Sequence, residues 1–303
     1  MTKKCVLHAQ AAVENRAVDF VIITALEEER DAVLIKLGRT QKLDKEASDV
    51  HTYYRGSVKS TRKDQSTYHV IVTCLSNMGP TEAATRAALV VKRWTPRYVL
   101  LVGIACGIRG EVSHGDVLAA SQVADYTLGK QHDGQRDIRW NVFPCGASLL
   151  DSAINLSARW RRRIGVARPS EGRSTLQKGV VATGGDVIAD DNVIAAYSAN
   201  WPKLIGIEME AGGVATALAQ TSERPEFLLI KAELSQWPEA EVSFRKAFEL
   251  EPEKIEYLVN VGICVANQGK RDEATKVFEK VLETAPTRAS QHLFRRVQGV
   301  SRQ

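Results

Sequence analysis

The stretch VDFVIITALEEERDAVLIKL, residues 18–37, decides how the larger part of the chain folds. Its first part, Val18–Ala25, is a short run of apolar and β-branched residues, which predicts a buried strand. The segment Glu27–Leu37 follows with helical spacing of its apolar residues. A buried strand followed at once by a helix is typical of α/β layer folds.

The same alternation continues as far as Lys231. Further predicted strands are Tyr68–Leu75, Tyr98–Ile104, Asp116–Ala124, Lys178–Thr183 and Phe227–Lys231, and further predicted helices are Thr81–Trp94 and Ile207–Gln220. Residues 18–231 are therefore predicted to form one α/β domain with a largely buried sheet.

The segment 232–303 has a different, charged and helical pattern. Three residues recur 34 positions apart: Ala240, Phe244 and Pro252 return as Ala274, Phe278 and Pro286. This period and pattern resemble the tetratricopeptide repeat, which consists of α-helical hairpins. Such repeats bury their apolar faces only against neighbours, so the tail is expected to pack on the first domain or bind a protein partner. Residues 1–17 are interpreted as a loose leader.

Composition excludes several functional classes. The net charge of +5 arises from 41 basic and 36 acidic residues, and the run Arg161–Arg163 is best explained as a solvated helix face, so nucleic acid is not an expected partner. No apolar run is long enough to cross a membrane and no signal peptide is evident, so a cytoplasmic location is expected. The five cysteines are scattered and the histidines lack ligand spacing, which predicts reduced thiols and no metal or other cofactor.

Four segments carry residues suited to chemistry. The acidic segment Ala25–Arg30 follows the first strand, where α/β sheets place ligands. The segment Ser76–Thr81 is a turn of small residues opening a helix, which suits an anion or a sugar hydroxyl but equally a plain connection. Val102–Ile108 places glycines near a strand end, where a flat ligand can approach. Gly206–Gly213 places carboxylates beside small residues before a buried helix, and buried charges are usually paired or bind something.

Six segments, in order, resemble motifs of the nucleoside-phosphorylase superfamily, and more narrowly of its methylthioadenosine/S-adenosylhomocysteine nucleosidase branch. They are Ala25–Glu29, Ser76–Ala84, Leu101–Gly107, Gly115–Val117, Thr183–Asp190 and Glu208–Glu210. The resemblance implies a three-layer domain with a central mixed sheet. It also implies hydrolysis of the N-glycosidic bond of a purine, most simply adenine, nucleoside or nucleotide. Hydrolysis is favoured over phosphorolysis because the first loop carries Glu29 and lacks a glycine- and arginine-rich phosphate loop.

The resemblance also assigns roles to individual residues. Glu29 would activate the attacking water, Glu210 would hold the ribose hydroxyls and Met209 would pack on the sugar. The other residues expected to contact the substrate are Ser76 and Gly79 near the ribose, Ala105, Cys106 and Gly107 around the base, Val187 and Ile188 against the purine, and Glu208.

The chain departs from the family at the end of the domain. The family places an acidic aspartate where this sequence has Ser235, and a serine hydroxyl is a poor proton donor at neutral pH. Glu233 is close in sequence but is predicted to lie at the start of a repeat helix. The family's closing helix is also missing, so the domain is interpreted as truncated at its C-terminal end.

Three functions remain open on these grounds. The first is a purine nucleoside or nucleotide hydrolase, the second is a catalytically impaired nucleoside sensor, and the third is a repeat-mediated interaction protein with a relic α/β scaffold. The choice among methylthioadenosine, adenosylhomocysteine and adenine nucleotides is open as well. The resemblance adds a homodimer as an expectation, because this family is commonly dimeric.

Overall fold

The computed structural model describes two compact units. The first lies within residues 18–132, 136–186 and 200–233, and the second contains Ile188, residues 191–199 and the helices after residue 236. The described residues are 18–45, 50–60, 66–113, 115–132, 135–164, 173–186, 188, 191–233, 237–267 and 270–284. The predicted leader, 1–17, lies outside them.

The first unit is built on a mixed central sheet, which confirms the α/β class predicted for this domain. Its strands run in the order β11-β10-β6-β12-β5-β1-β4-β3-β2, with β9 added beside β6, while β7 and β8 pair separately. The strands are β1 Phe20–Thr24, β2 Thr40–Lys42, β3 Tyr54–Lys59, β4 Thr67–Cys74, β5 Tyr98–Gly107, β6 Val117–Asp125, β7 Gly129–His132, β8 Gln135–Ile138, β9 Asn141–Pro144, β10 Leu176–Thr183, β11 Leu204–Glu208 and β12 Glu226–Glu233.

The sheet closes on itself at one end. Strands β1, β4, β5 and β12 are mutually parallel neighbours, so their carboxyl ends share one edge. Strand β11 pairs with β10 and also, antiparallel, with the end of β5, where Ile207 lies opposite Cys106. The path β5-β12-β6-β10-β11 therefore returns to β5 as a ring. This ring brings the end of β11 beside the shared carboxyl edge.

Helices follow the strands closely. They are α1 Glu27–Leu37, α2 Pro80–Trp94, α3 Ala147–Ile154, α4 Asp191–Asn200, α5 Ala211–Ala219, α6 Trp237–Leu250, α7 Ile255–Asn267 and α8 Arg271–Thr284, with a 3₁₀ helix at Ala158–Arg163. Within the described part of the chain, no helix is long and apolar enough to span a membrane. Helices α2 and α5 pack very closely, because a Cβ at Gly213 would lie 2.7 Å from the carbonyl carbon of Pro80.

Two predictions at element boundaries are wrong. The predicted helix Ile207–Gln220 begins at Ala211, because Ile207 and Glu208 are buried residues at the end of strand β11. Glu233 ends strand β12 and does not begin a helix. It pairs in register with Ala105 of β5, and its backbone N–H donates to the carbonyl of Asp116 at 2.8 Å. These sheet contacts outweigh the helical propensity of the sequence that follows.

The second unit contains the helices α6, α7 and α8, which pack around their own apolar core. The buried members of this core are Leu258, Val261, Val265, Ala274, Val277, Phe278 and Val281. Gly262 is needed on α7 because a Cβ there would lie 2.7 Å from the ring of Phe278 on α8. The helices agree with the predicted hairpin arrangement, while their assignment as tetratricopeptide repeats stays a prediction. Pro286 lies outside the described residues.

Candidate active site

A buried ammonium group organises the centre of the site. Lys231, near the end of β12, is 1% exposed. Its Nζ lies 3.4 Å from Glu208 Oε2 and 3.3 Å from Glu210 Oε2. Burial alone would lower the pKa of Lys231, but the negative charges of Glu208, Glu210 and Glu29 outweigh it, so its pKa is raised. Lys231 therefore stays charged.

Two carboxylates share this ammonium, and they differ in their other contacts. Glu208 accepts hydrogen bonds from the backbone N–H of Glu210 at 3.2 Å and of Ala211 at 3.0 Å, at the start of α5. Burial raises the pKa of Glu208, and the charge of Glu210 raises it further, although Lys231 opposes both. Glu208 thus fixes the local backbone. Glu210 accepts one backbone hydrogen bond through its other carboxylate oxygen, Oε1, from the N–H of Gly79 at 3.4 Å.

Glu29 reaches the same edge from the first turn of α1. Its Oε2 accepts from the backbone N–H groups of Ala25 and Leu26, at 2.8 and 2.9 Å. Its Oε1 accepts from Ile104 N–H of β5, at 2.8 Å. A carboxylate offers about four lone-pair sites, so one remains for a water molecule. Gly103 makes this position possible, because a Cβ there would lie 2.6 Å from the carboxylate carbon of Glu29.

A buried arginine forms hydrogen bonds to the turn that follows β4. Arg86 of α2 is 1% exposed and donates to the Thr73 hydroxyl at 2.7 Å, to the carbonyl of Cys74, and to Glu82 at 2.9 Å. It also reaches the Ser76 hydroxyl at 3.4 Å. Burial lowers the pKa of Arg86, but a guanidinium remains charged in proteins. These bonds fix the position of the turn that presents Gly79.

Most of the predicted site residues lie at this edge. Contacts with one another or with Lys231 link Gly79, Glu208 and Glu210, and the charge of Glu29 acts on the same Lys231. Met209 is half-buried and lies between the two glutamates in the sequence. Ser76 faces Arg86 and Glu82, since its N–H donates to Glu82 at 3.4 Å.

The predicted base-contacting residues have more varied positions. Ala105, Cys106 and Gly107 belong to β5, which extends three residues beyond the predicted strand end, so they are paired within the sheet. Val187 lies outside the described residues. Ile188 is half-buried and belongs to the second compact unit, so its predicted contact with the purine stays a prediction.

Lys231 is the residue that sequence reasoning missed. Lys231 follows the apolar run Phe227–Ile230, and a charged residue in this position indicates the end of a buried strand. The sequence does contain a signal, since buried carboxylates such as Glu208 and Glu210 need a partner. Only the pairing of β12 with β5 identifies Lys231 as that partner, because it places Lys231 opposite Gly103 and beside the Glu29 carboxylate.

Comparison with known proteins assigns the chain to a protein family. The Phosphorylase superfamily model matches residues 19–222. The chain belongs to this superfamily. A 5′-methylthioadenosine/S-adenosylhomocysteine nucleosidase of Bacillus thuringiensis is 27% identical over 174 residues, which cover 56% of this chain and 70% of that protein.

Two solved structures show the same fold. The nucleosidase of Colwellia psychrerythraea 34H, in complex with adenine, aligns with a TM-score of 0.52 and 22% identity, covering 72% of this chain and 82% of that one. The nucleosidase of Neisseria meningitidis, in complex with methylthio-immucillin-A, aligns with a TM-score of 0.54 and 19% identity, covering 71% of this chain and 84% of that one. The superfamily assignment therefore agrees with the resemblance read from the six motifs.

Proposed function

We propose that the α/β unit hydrolyses the N-glycosidic bond of a purine nucleoside or nucleotide and releases the base, most simply adenine. The observation that carries the proposal is the convergence of Glu29, Glu208 and Glu210 around Lys231 at the carboxyl edge of the sheet. Similarity to nucleosidases that act on methylthioadenosine and adenosylhomocysteine supports the choice of an adenine nucleoside.

Glu210 is proposed to act on the ribose. Breaking an N-ribosyl bond develops positive charge on the sugar, and a preorganised carboxylate stabilises that charge. Glu210 is 4% exposed, and its two contacts, with Gly79 N–H and Lys231, hold its orientation while leaving lone pairs for sugar hydroxyls. Met209, half-buried beside it, would pack on the sugar.

Glu29 is proposed to orient and deprotonate the attacking water. Three backbone N–H groups fix the carboxylate, so its free lone pair points in a constant direction. Such positioning lowers the entropic part of the barrier, because the water is held where it must attack. Glu28, the preceding residue, is exposed and serves as a natural comparison.

The test is release of free adenine. The purified chain is incubated with methylthioadenosine, adenosylhomocysteine, adenosine, AMP and ATP, and adenine is quantified by chromatography. We expect release from at least one compound, and loss of release in Glu210→Gln. An exposed glutamate of the same unit, Glu223→Gln, is the matched control and should behave as the parent does. Absence of adenine from all five compounds would contradict the proposal.

A nucleoside sensor is the second candidate function, favoured by Ser235 at the place of the family's aspartate. A site that binds the ribose but lacks a proton donor would hold the nucleoside without cleaving it. Saturable binding of methylthioadenosine that Glu210→Gln abolishes, without adenine release, would identify this case.

We also propose that the helical unit is a tetratricopeptide-type repeat that binds a protein partner. The contact of Gly262 with Phe278 and the buried position of Ala274 support it, because these are small and large positions that the repeat pattern specifies. Arg245 pairs with Glu241 on its own helix, α6, at 2.7 Å, and links α6 to α8 through Glu273 at 2.9 Å. Cross-linking of the full chain, compared with a Phe278→Ala variant, tests whether an intact hairpin is needed to capture a partner. The homodimer stays a prediction.

A further inference from the structure

Hydrolysis of a purine nucleoside needs a proton for the departing base, and a carboxyl group of this chain is placed to supply it. We propose that Glu233 is the proton donor to the leaving base. This inference rests on the proposed function and deepens it, because it assigns to Glu233 the role that Ser235 cannot fill.

The first argument is the direction of the side chain. Lys231 and Glu233 are two residues apart on β12, and side chains at this spacing project from the same face of a strand. Lys231 points to Glu208 and Glu210, so Glu233 lies on the face that carries the carboxylate cluster. The spacing along the strand is about 7 Å. This is comparable with the separation between ribose hydroxyls and the imidazole ring of a purine.

The second argument is the surroundings of the carboxyl group. Glu233 is 2% exposed, and its side chain packs over Gly107, where a Cβ would lie 2.9 Å from Oε1 and closer still to Cγ. Gly107 is thus a glycine because Glu233 and Val112 occupy that space. The Glu233 side chain also lies close enough to Cys106 to act on it, since burial and then Glu233 raise the pKa of that thiol. Glu233 therefore lies among the residues expected to surround the base.

The third argument is the rigidity of the backbone. Glu233 N–H donates to the Asp116 carbonyl at 2.8 Å, and Gly115 N–H donates to the Glu233 carbonyl at 3.2 Å. With Ala105 as its partner on β5, the residue is fixed on two sides. General acids work when geometry holds them within hydrogen-bond reach of the acceptor atom.

The reaction balances with these residues. The C1′–N bond breaks and its electron pair goes to the base, while the carboxyl proton of Glu233 moves to a base nitrogen. The water oxygen bonds to C1′, and a water proton moves to Glu29. The products are the free base and a ribose hydroxyl, and the proton returns from Glu29 to Glu233 through solvent.

The test compares two leaving groups. Adenine must be protonated to leave easily, whereas nitrophenolate leaves without a proton. Glu233→Gln should lower adenine release from methylthioadenosine by about 10²–10⁴-fold. The same variant should keep the parent's rate with a nitrophenyl riboside, which also shows that it folds. Glu226→Gln, on the same strand, is the matched control, because a glutamine oxygen can still accept from Ser148. Glu233→Asp, which keeps a carboxyl group, should be intermediate.

Each other outcome overturns the inference in a distinguishable way. Unchanged adenine release in Glu233→Gln would remove Glu233 from the chemistry and leave the hydrolase proposal intact. Equal losses with both substrates in Glu233→Gln and Glu233→Asp would assign a structural role. Cleavage of the nitrophenyl riboside alone by the parent would mean that the site has no proton donor. A parent inactive on both substrates would overturn the proposed function together with this inference.

Discussion

Replacing Lys231 with methionine removes the buried ammonium that lies between two buried carboxylates. The side chains of Lys231, Glu208 and Glu210 are 1%, 2% and 5% exposed. Water therefore cannot solvate the two carboxylates once the ammonium is removed. Methionine has similar length and keeps the packing of the stem, so the change tests the charge more than the volume.

The magnitude follows from the distances. At about 3.3 Å and an effective dielectric constant near 20, each ion pair is worth about 5 kcal/mol before desolvation. Burying the ammonium costs several kcal/mol, and removing one partner of a buried pair typically costs about 3–5 kcal/mol of stability. We therefore expect Lys231→Met to lower the free energy of unfolding of the first unit by about 3–5 kcal/mol at pH 8.

The pH dependence of the loss has a definite sign. The raised pKa of Lys231 means that its stabilisation is complete below its ordinary value of 10.5 and is lost as the pH rises through the folded-state value. The pKa of Glu208 is also raised above 4.5, so stability falls as the pH rises through its folded-state value. Without the ammonium, the pKa of Glu208 rises further. At pH 5 the variant can protonate Glu208, so its deficit should be smaller than at pH 8.

Urea unfolding followed by tryptophan fluorescence is the assay. Four of the five tryptophans lie in the first unit and report on it: Trp94, Trp140, Trp160 and Trp201. Lys178→Met, an exposed lysine on β10, is the control and should change stability by less than about 0.5 kcal/mol. Unchanged stability in Lys231→Met, or an equal loss at pH 5 and pH 8, would refute the description of the charge cluster.

Two further predictions concern close packing. Gly213→Ala should destabilise the first unit by about 1–3 kcal/mol, because the new methyl group meets the Pro80 backbone, whereas Gly185→Ala, where no atom lies within 4 Å, should be neutral in thermal unfolding. Gly262→Ala should lower the thermal stability of the helical unit by a similar amount, because its methyl group meets the Phe278 ring. Equal melting temperatures for the Gly213 and Gly185 variants, or a helical signal unaffected by Gly262→Ala, would contradict these contacts.

The sequence predicts best where a local pattern and burial agree. The prediction for strand β1 lies within two residues of its bounds, because its run of apolar, β-branched residues is also largely buried. The edge strand Thr40–Lys42 has no apolar alternation, so only its pairing with β3 defines it. Helix α4 was missed for a related reason, since its apolar residues form no distinct stripe.

The candidate site is predictable only where its residues belong to local sequence motifs. Glu29 and Glu210 stand in recognisable local motifs, but their contacts with Ile104 and Lys231 join residues 75 and 21 positions apart. The sequence pattern places Glu233 at a helix start because the residues that follow have a helical pattern, whereas the pairing of β12 with β5 extends to Glu233. Long-range strand pairing therefore carries the information that the local pattern lacks.

The most direct measurement compares two adjacent glutamates. Adenine release from methylthioadenosine is measured for the parent, Glu29→Gln and Glu28→Gln. The side chain of Glu29 accepts from Ile104 N–H at the site, whereas Glu28 is exposed. We predict that Glu29→Gln lowers kcat by about 10²–10⁴-fold with little change in KM, and that Glu28→Gln matches the parent. Equal activity of the two variants, or a parent that releases no adenine, would contradict the account of this site as a nucleoside hydrolase.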